Sequence, residues 1–313
     1  MIESKPNVLI VGGGAIGSFY GALLARAGCS VSMVLRSDYR SVLEHGISVK
    51  SHRLGDLSFQ PAAVYKQVEE CSEAPDYLIL CVKIVRGVDR AEVIHHAVGP
   101  QTTIVLIENG IDIESNIAQA FPNNQLISAL AYVGVNRTGP GQVEHKTSYG
   151  RLVLGNYPTG AGNETKRLGQ LLEASGIQAP VTDKIIGERW RKCVWNGAFN
   201  PVSVLAGGAD TQTLLNSPGG ETLLREMMEE ICCVSAASGY PMPSELIDTN
   251  LEFSRTMPAY RTSMAEDFLN DRPLELDAIL GNIVRAANQC KVKVPRLATI
   301  YALLQMLTLH LTR

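Results

Sequence analysis

The chain has 313 residues, 45% of them hydrophobic and 19% charged, with 28 lysines and arginines against 31 acids for a net charge of −3. About three-quarters of the unfolded surface can be buried at that length, enough for two ordinary domains. There is no basic excess to neutralise a nucleic-acid backbone, so a nucleic-acid partner is not expected, while small phosphorylated ligands stay open.

Met1 to Pro6 leads at once into a strand-like stretch, which leaves no room for a signal peptide. No apolar run approaches the roughly 18 residues of a membrane span, so a cytoplasmic chain without membrane contact is expected. Short apolar runs at 7–11, 30–35, 77–82, 103–107 and 126–130 alternate with helical patterns and predict a parallel sheet covered on both faces. Between 46 and 65, polar and apolar residues alternate, as in an antiparallel excursion. Gly139-Pro140-Gly141 begins a turn before another strand pair whose second member is 151–154. From Gly187 onward the pattern is helical, with helices expected near 187–206, 219–238, 243–256, 262–270, 275–289 and 295–312. Two domains follow: an α/β domain over 1–183 and an all-helical domain over 184–313.

Gly12-Gly13-Gly14-Ala15-Ile16-Gly17 fits G-x-G-x-x-G directly after the first strand and before a helix. The first glycine permits the tight turn, the second lets backbone approach a pyrophosphate, and the third lets helix and strand pack closely. In this context the motif predicts a dinucleotide site in a Rossmann-type domain. The second strand ends Val34-Leu35-Arg36-Ser37, with a cation where an NAD site carries a ribose-binding acid. Arg36 can pair with a 2′-phosphate, so NADPH is the expected cofactor. Asp38 competes for the acid's role but falls past the strand end. Lys83 and Asn109-Gly110 follow the carboxyl ends of two further strands, where ligands bind. Singly they read more readily as a solvated lysine and a turn; with both at the crevice edge, a functional role for each weighs evenly against those readings.

Lys192, Asn196 and Asn200 are spaced i, i+4, i+8 on one helical face. The positions between them, Cys193, Val194, Trp195, Ala198 and Phe199, are apolar. A lysine and two asparagines on the remaining face of a buried helix need a cavity or a partner. A partly desolvated lysine can act as a general acid toward a ketone being reduced. The seven cysteines are odd in number, include no C-x-x-C and share no metal-ligand spacing with the six histidines. They read as reduced thiols, and no metal is expected.

Taken together, these motifs resemble the ketopantoate reductase (2-dehydropantoate 2-reductase) family nearly end to end. The resemblance rests on the glycine loop, Arg36, Lys83 before a long helix, Glu108-Asn109-Gly110, Gly139-Pro140-Gly141, the segment from Trp190 to Pro201, Tyr260 to Met264, Arg272 to Asp277, and Gly281. It implies NADPH-dependent reduction of ketopantoate or another 2-oxo acid in pantothenate biosynthesis, by a monomer or homodimer with substrate held in the cleft between domains. Lys192 would be the proton donor, Asn109 would sit at nicotinamide and substrate, and Asn196 and Asn200 would hold the substrate. Ser263 would bind its carboxylate, and Glu275 would face the nicotinamide ribose and the reacting centre. From the residues alone, Ser263 or Thr262 reads as an N-cap and Glu275 as a first-turn acid. Two departures touch the substrate side: Gly207-Gly208-Ala209-Asp210 and Tyr260 stand where the family pattern implies asparagines. A non-catalytic NADPH-binding sensor is the reading from another class.

Overall fold

Apolar runs without alternation suit strands covered on both faces. The computed structural model, which describes residues 5–311, builds these runs into one sheet. Residues 1–4 and 312–313 lie outside the described residues; on them fell part of the signal-peptide reading and the end of the last expected helix.

The first of two compact units runs to Lys83 and includes Val88–Glu108 and Glu114–Ile185. In chain order it holds β1 (Asn7–Val11), α1 (Ala15–Arg26), β2 (Ser30–Val34), α2 (Tyr39–His45), β3 (Ile47–Ser51), β4 (Leu57–Phe59), β5 (Val64–Tyr65) and β6 (Tyr77–Leu80). It continues with α3 (Arg90–Ile94), β7 (Thr103–Ile107), α4 (Ser115–Ala120), β8 (Leu126–Gly139), β9 (Gln142–Asn156) and α5 (Asn163–Ala174). The strand order is β4-β3-β9-β8-β7-β6-β1-β2-β5. Neighbours from β5 to β8 are all parallel. The order reverses between β1 and β6, the switch point at which such sheets bind ligands. Val8 and Ile10 share a core with Phe19 and Leu23 of α1 and Leu168 and Leu172 of α5. Leu9 and Val11, on the opposite face, are also buried.

Two local expectations are corrected and a third is extended. Gly139-Pro140-Gly141 does not precede a new strand pair; it closes a long hairpin of β8 and β9, paired from Ile127↔Asn156 to Gly139↔Gln142. Register shifts between Val133 and Val135 and between Arg137 and Gly139 break the alternation that would have marked β8 beyond residue 130. The 46–65 stretch does form the antiparallel pair β3–β4, yet β3 joins β9 in parallel and β5 returns to β2. Lys83 is followed by a loop and the five-residue α3, not by a long helix.

The second unit comprises the chain from Ile186 onward with two short excursions, Ile84–Gly87 and Asn109–Ile113. Its helices are α6 (Ile185–Leu205), α7 (Thr211–Asn216), α8 (Gly220–Ala237), α9 (Leu246–Thr256), α10 (Ser263–Leu269), α11 (Asn282–Cys290) and α12 (Pro295–Leu311). A π-helical turn, Asp277–Gly281, leads into α11, where a single regular helix was expected. The short α7 was not anticipated. Val194 and Phe199 of α6 pack with Leu224, Met227 and Ile231 of α8 and with Ile279, Ile283, Leu297 and Leu304. Buried Glu230 on α8 accepts the amides of Arg296 at 3.1 Å and Leu297 at 3.0 Å, which satisfies donors at the start of α12. Among the described residues no helix is long and apolar enough to cross a membrane.

Both tryptophans, Trp190 and Trp195, belong to the helical unit, so their emission reports on it alone. Leu224 is fully buried there. Leu224→Ala should lower the stability of this unit by about 2–5 kcal/mol in urea titrations read by tryptophan emission. A loss below about 1 kcal/mol would contradict the packing described.

Candidate active site

In the α/β unit, the glycine loop is built by exclusion of side chains. Gly12 has φ +105°, and a Cβ there would lie 2.9 Å from the Cys81 carbonyl group across the switch point. At Gly17 a Cβ would meet the Gly12 carbonyl oxygen at 2.0 Å, and at Gly13 it would meet Leu35 Cδ2 at 2.0 Å. Gly14 faces open space, is exposed, and caps α1 with no side-chain hydrogen bond. Ala15 and Ile16, half-buried, open the helix. Backbone amides at an uncapped helix start beside a bare glycine can cradle a phosphate.

Arg36 is exposed just past β2. The neighbouring Asp38 is buried and its carboxylate is fully engaged. It accepts from Arg137 Nε at 3.0 Å and again from Arg137 Nη2, from Gly141 N at 3.0 Å, and from Ser37 Oγ at 2.7 Å. Burial alone would raise this carboxyl, but these donors and the Arg137 charge outweigh it and hold it below its ordinary value. Asp38 is therefore not free to take the ribose hydroxyls. Its position past the strand end makes it a clamp between the β2 loop and the hairpin tip.

In the helical unit, Lys192 is half-buried and its Nζ donates to Asn109 Oδ1 at 2.8 Å. The turn that presents Asn109 is stitched to the π turn. Gly110 has φ +111°, and a Cβ there would fall 2.4 Å from the Ala278 carbonyl oxygen. Ile111 N donates to that same oxygen at 2.9 Å, and Asn282 Nδ2 donates to the Ile111 carbonyl. The fully buried Arg189 donates from Nη1 to the Gly110 carbonyl at 3.1 Å. Glu275, half-buried just before the π turn, accepts from Ile84 N at 3.0 Å.

Burial pushes the Lys192 ammonium down and the Arg189 guanidinium pushes it further, while Cys193 and Glu275 oppose them; the balance lies at about 8. Burial pushes the Cys193 thiol up to about 12, so near neutral pH Glu275 supplies the opposing negative charge.

The rest of the stripe runs along α6 up to Pro201, which sits inside the helix. Asn196 is half-buried; Asn200 is 1% exposed, and among the described residues neither end of its carboxamide has a hydrogen-bond partner. Buried amides left in that state are costly unless something completes them. One turn on, Ser203 Oγ and Thr262 Oγ1 lie 2.8 Å apart, which ties the end of the stripe to α10. Thr262 is the N-cap, accepting from Ala265 N at 3.1 Å, and Ser263 stays exposed beside it. Asp210 caps the unexpected α7 through Thr213 N at 2.8 Å. The half-buried Tyr260 sets its ring 6.4 Å from that of Trp195.

The helical unit thus gathers Asn109, Lys192 and Glu275 at one locus and leads through Asn200 toward Ser263. The α/β unit carries the glycine loop, Arg36 and the half-buried Lys83. Sequence reasoning missed Arg189 and Arg137. A charged residue one turn before Lys192 on a helix otherwise apolar on its inner faces was the available signal for Arg189. For Arg137 there was none, because its partner lies 99 positions away.

Comparison with known proteins finds one family over most of the chain. The family described as ketopantoate reductase PanE/ApbA matches residues 8–159, and its C-terminal counterpart matches residues 184–308. A 2-dehydropantoate 2-reductase of Nostoc sp. is 31% identical over 303 residues, covering 95% of this chain and 94% of its own. The crystal structure of 2-dehydropantoate 2-reductase from Methylococcus capsulatus is 48% identical with a TM-score of 0.92, covering 98% of each chain. A D-mandelate dehydrogenase solved with NADH and anilino(oxo)acetate shares the fold at 22% identity and TM-score 0.88, over 98% of this chain and all of its own. The α/β domain with its glycine loop, the helical domain with its lysine–asparagine stripe and these matches place the chain in the ketopantoate reductase family.

Proposed function

We propose that the protein is an NADPH-dependent 2-dehydropantoate 2-reductase, which reduces the C2 ketone of ketopantoate to pantoate in cytoplasmic pantothenate biosynthesis, as a monomer or homodimer. The observation that carries the reading is the Lys192 ammonium, poised at about 8 and seated on the Asn109 carboxamide. A proton donor near the operating pH is what the developing alkoxide of a reduced ketone requires.

The α/β unit serves the cofactor and the helical unit the substrate. Its residues fit the cofactor: three glycine positions exclude a Cβ, Gly14 leaves the helix start open, and Arg36 offers an exposed cation for a 2′-phosphate. Lys83 adds positive charge near the carboxyl end of β6. Bound NADPH supplies the hydride for C2. Lys192 gives its proton to the carbonyl oxygen, and Asn109 orients the ammonium for that transfer. Asn200 completes its buried carboxamide on the substrate, Asn196 holds a second polar group, and the Ser263 hydroxyl takes the carboxylate. Glu275 keeps a negative charge near the ammonium and would hold the ribose of a bound nicotinamide.

A second reading is supported by Tyr260 and Asp210, which bring an aromatic ring and a helix cap to positions where the family pattern has amides. On that reading the same chemistry acts on a different 2-oxo acid. Steady-state NADPH oxidation with ketopantoate and a panel of 2-oxo acids separates the two by kcat/KM. Tight NADPH binding without oxidation by any of them would instead favour a sensor.

Lys192→Ala should reduce turnover by roughly a hundredfold or more, and near-normal turnover would reject the proton-donor role. Because the ammonium must be protonated to donate, reduction should be fastest below about pH 8 and decline as pH rises through that value. A rate that climbs through the same range would contradict it. Arg36→Ala should raise KM for NADPH about tenfold or more and leave that for NADH nearly unchanged, since only the former carries the 2′-phosphate. Equal effects would argue against NADPH selection.

A further inference from the structure

Arg189 is 2% exposed, one helical turn before Lys192 on α6, and a buried guanidinium carries a desolvation cost that needs a return. Its Nη1 donates to the carbonyl of Gly110, a residue confined to its place by φ +111° and by the Ala278 backbone. The residue immediately before Gly110 is Asn109, whose carboxamide receives the Lys192 ammonium. We propose that Arg189 is a positioning residue of this site: it clamps the Gly110 carbonyl, so fixing Asn109 against Lys192, and holds a permanent positive charge one turn from the ammonium. The proposal deepens the reading of Lys192 as proton donor and rests on it for the effect on catalysis.

An arginine suits this task where a lysine would not. Its planar fork can grip a carbonyl and stays protonated in any environment a protein provides, so the charge beside Lys192 cannot be switched off. The groups facing Lys192 include Arg189 and Cys193 on its own helix, the Asn109 carboxamide from the turn after β7, and Glu275 from the segment before the π turn. Arg189 and Glu275 are the charged pair among them, and they act in opposite directions. The clamp sets the geometry and this pair sets how readily the proton leaves.

Three substitutions separate the roles. Arg189→Met removes donor and charge, Arg189→Gln keeps a donor, and Arg189→Lys keeps the charge; unchanged far-UV circular dichroism and tryptophan emission certify folding. Carbamylation of Lys192 by cyanate, followed across pH by peptide mass spectrometry, reads the ammonium directly and needs neither cofactor nor substrate. The wild-type midpoint should lie near 8. It should rise by about one unit in Arg189→Met and Arg189→Gln and stay within a few tenths of wild type in Arg189→Lys. Either neutral variant suffices, so misfolding of one leaves the other to decide. In the assay, Arg189→Met should lower kcat about tenfold or more with KM for NADPH changed less than about twofold. A midpoint unchanged or lowered in the neutral variants overturns the proposal. If wild-type protein turns over no 2-oxo acid, the reductase reading fails, and the cyanate measurement still decides the role of Arg189.

Discussion

The docking of the Asn109-Gly110-Ile111 turn onto the π turn at Asp277–Gly281 is the constraint on which the candidate site depends. A regular α-helical turn closes its carbonyls on amides four residues ahead. Here the Ala278 carbonyl receives Ile111 N, and the approach is so close that only glycine fits at 110. Single π turns are rare and recur at functional sites, where the altered register frees a group for another partner. The turn after β7 is thereby tied to a helical element, although it is a loop. That tie holds the Asn109 carboxamide beside the Lys192 ammonium.

Charge placement in the helical unit follows a consistent logic. Arg189 and Lys192 share one inner face of α6, where a buried and a half-buried cation would repel without relief. Gly110 and Asn109 supply neutral acceptors to each, and Glu275 supplies one negative charge. The cofactor end solves a different problem by the same means. Asp38 is locked by Arg137, Ser37 and Gly141, which leaves Arg36 as the exposed charge directly after β2. An acid that looks available in the sequence has been taken out of competition by a partner on a hairpin tip.

What could be read from the chain was local. The glycine loop carries its meaning within six residues, and the stripe within three turns, because both follow the period of one element. The parallel sheet covered on both faces could be expected from the buried runs, but not the strand order that sets the β1–β6 switch point. Long-range pairing was hidden: nothing at Arg137 points to Asp38, and nothing at Ile84 points to Glu275, 191 positions away. The hairpin of β8 and β9 was shortened because its register shifts erase the alternation that reveals a strand. The start of α11 was read as regular helix because a π turn has the same apolar residues as an α turn. Asp210 drew attention as a departure from the family pattern, and its capping of α7 needed the structure to be seen.

The helical unit borrows Ile84–Gly87 and Asn109–Ile113 from well before the rest of its chain, and this has a consequence for biosynthesis. A ribosome delivers these segments long before it delivers Asp277–Gly281, so the Asn109 turn waits, without its dock, through more than half of translation. Domains emerging N-terminal first can fold as units, but a discontinuous one must hold pieces in reserve. Contacts spanning 79 to 191 positions also carry a loop-closure cost that is met late. The strand framework can therefore mature early, while the residues suited to chemistry come together only as the last fifth of the chain arrives.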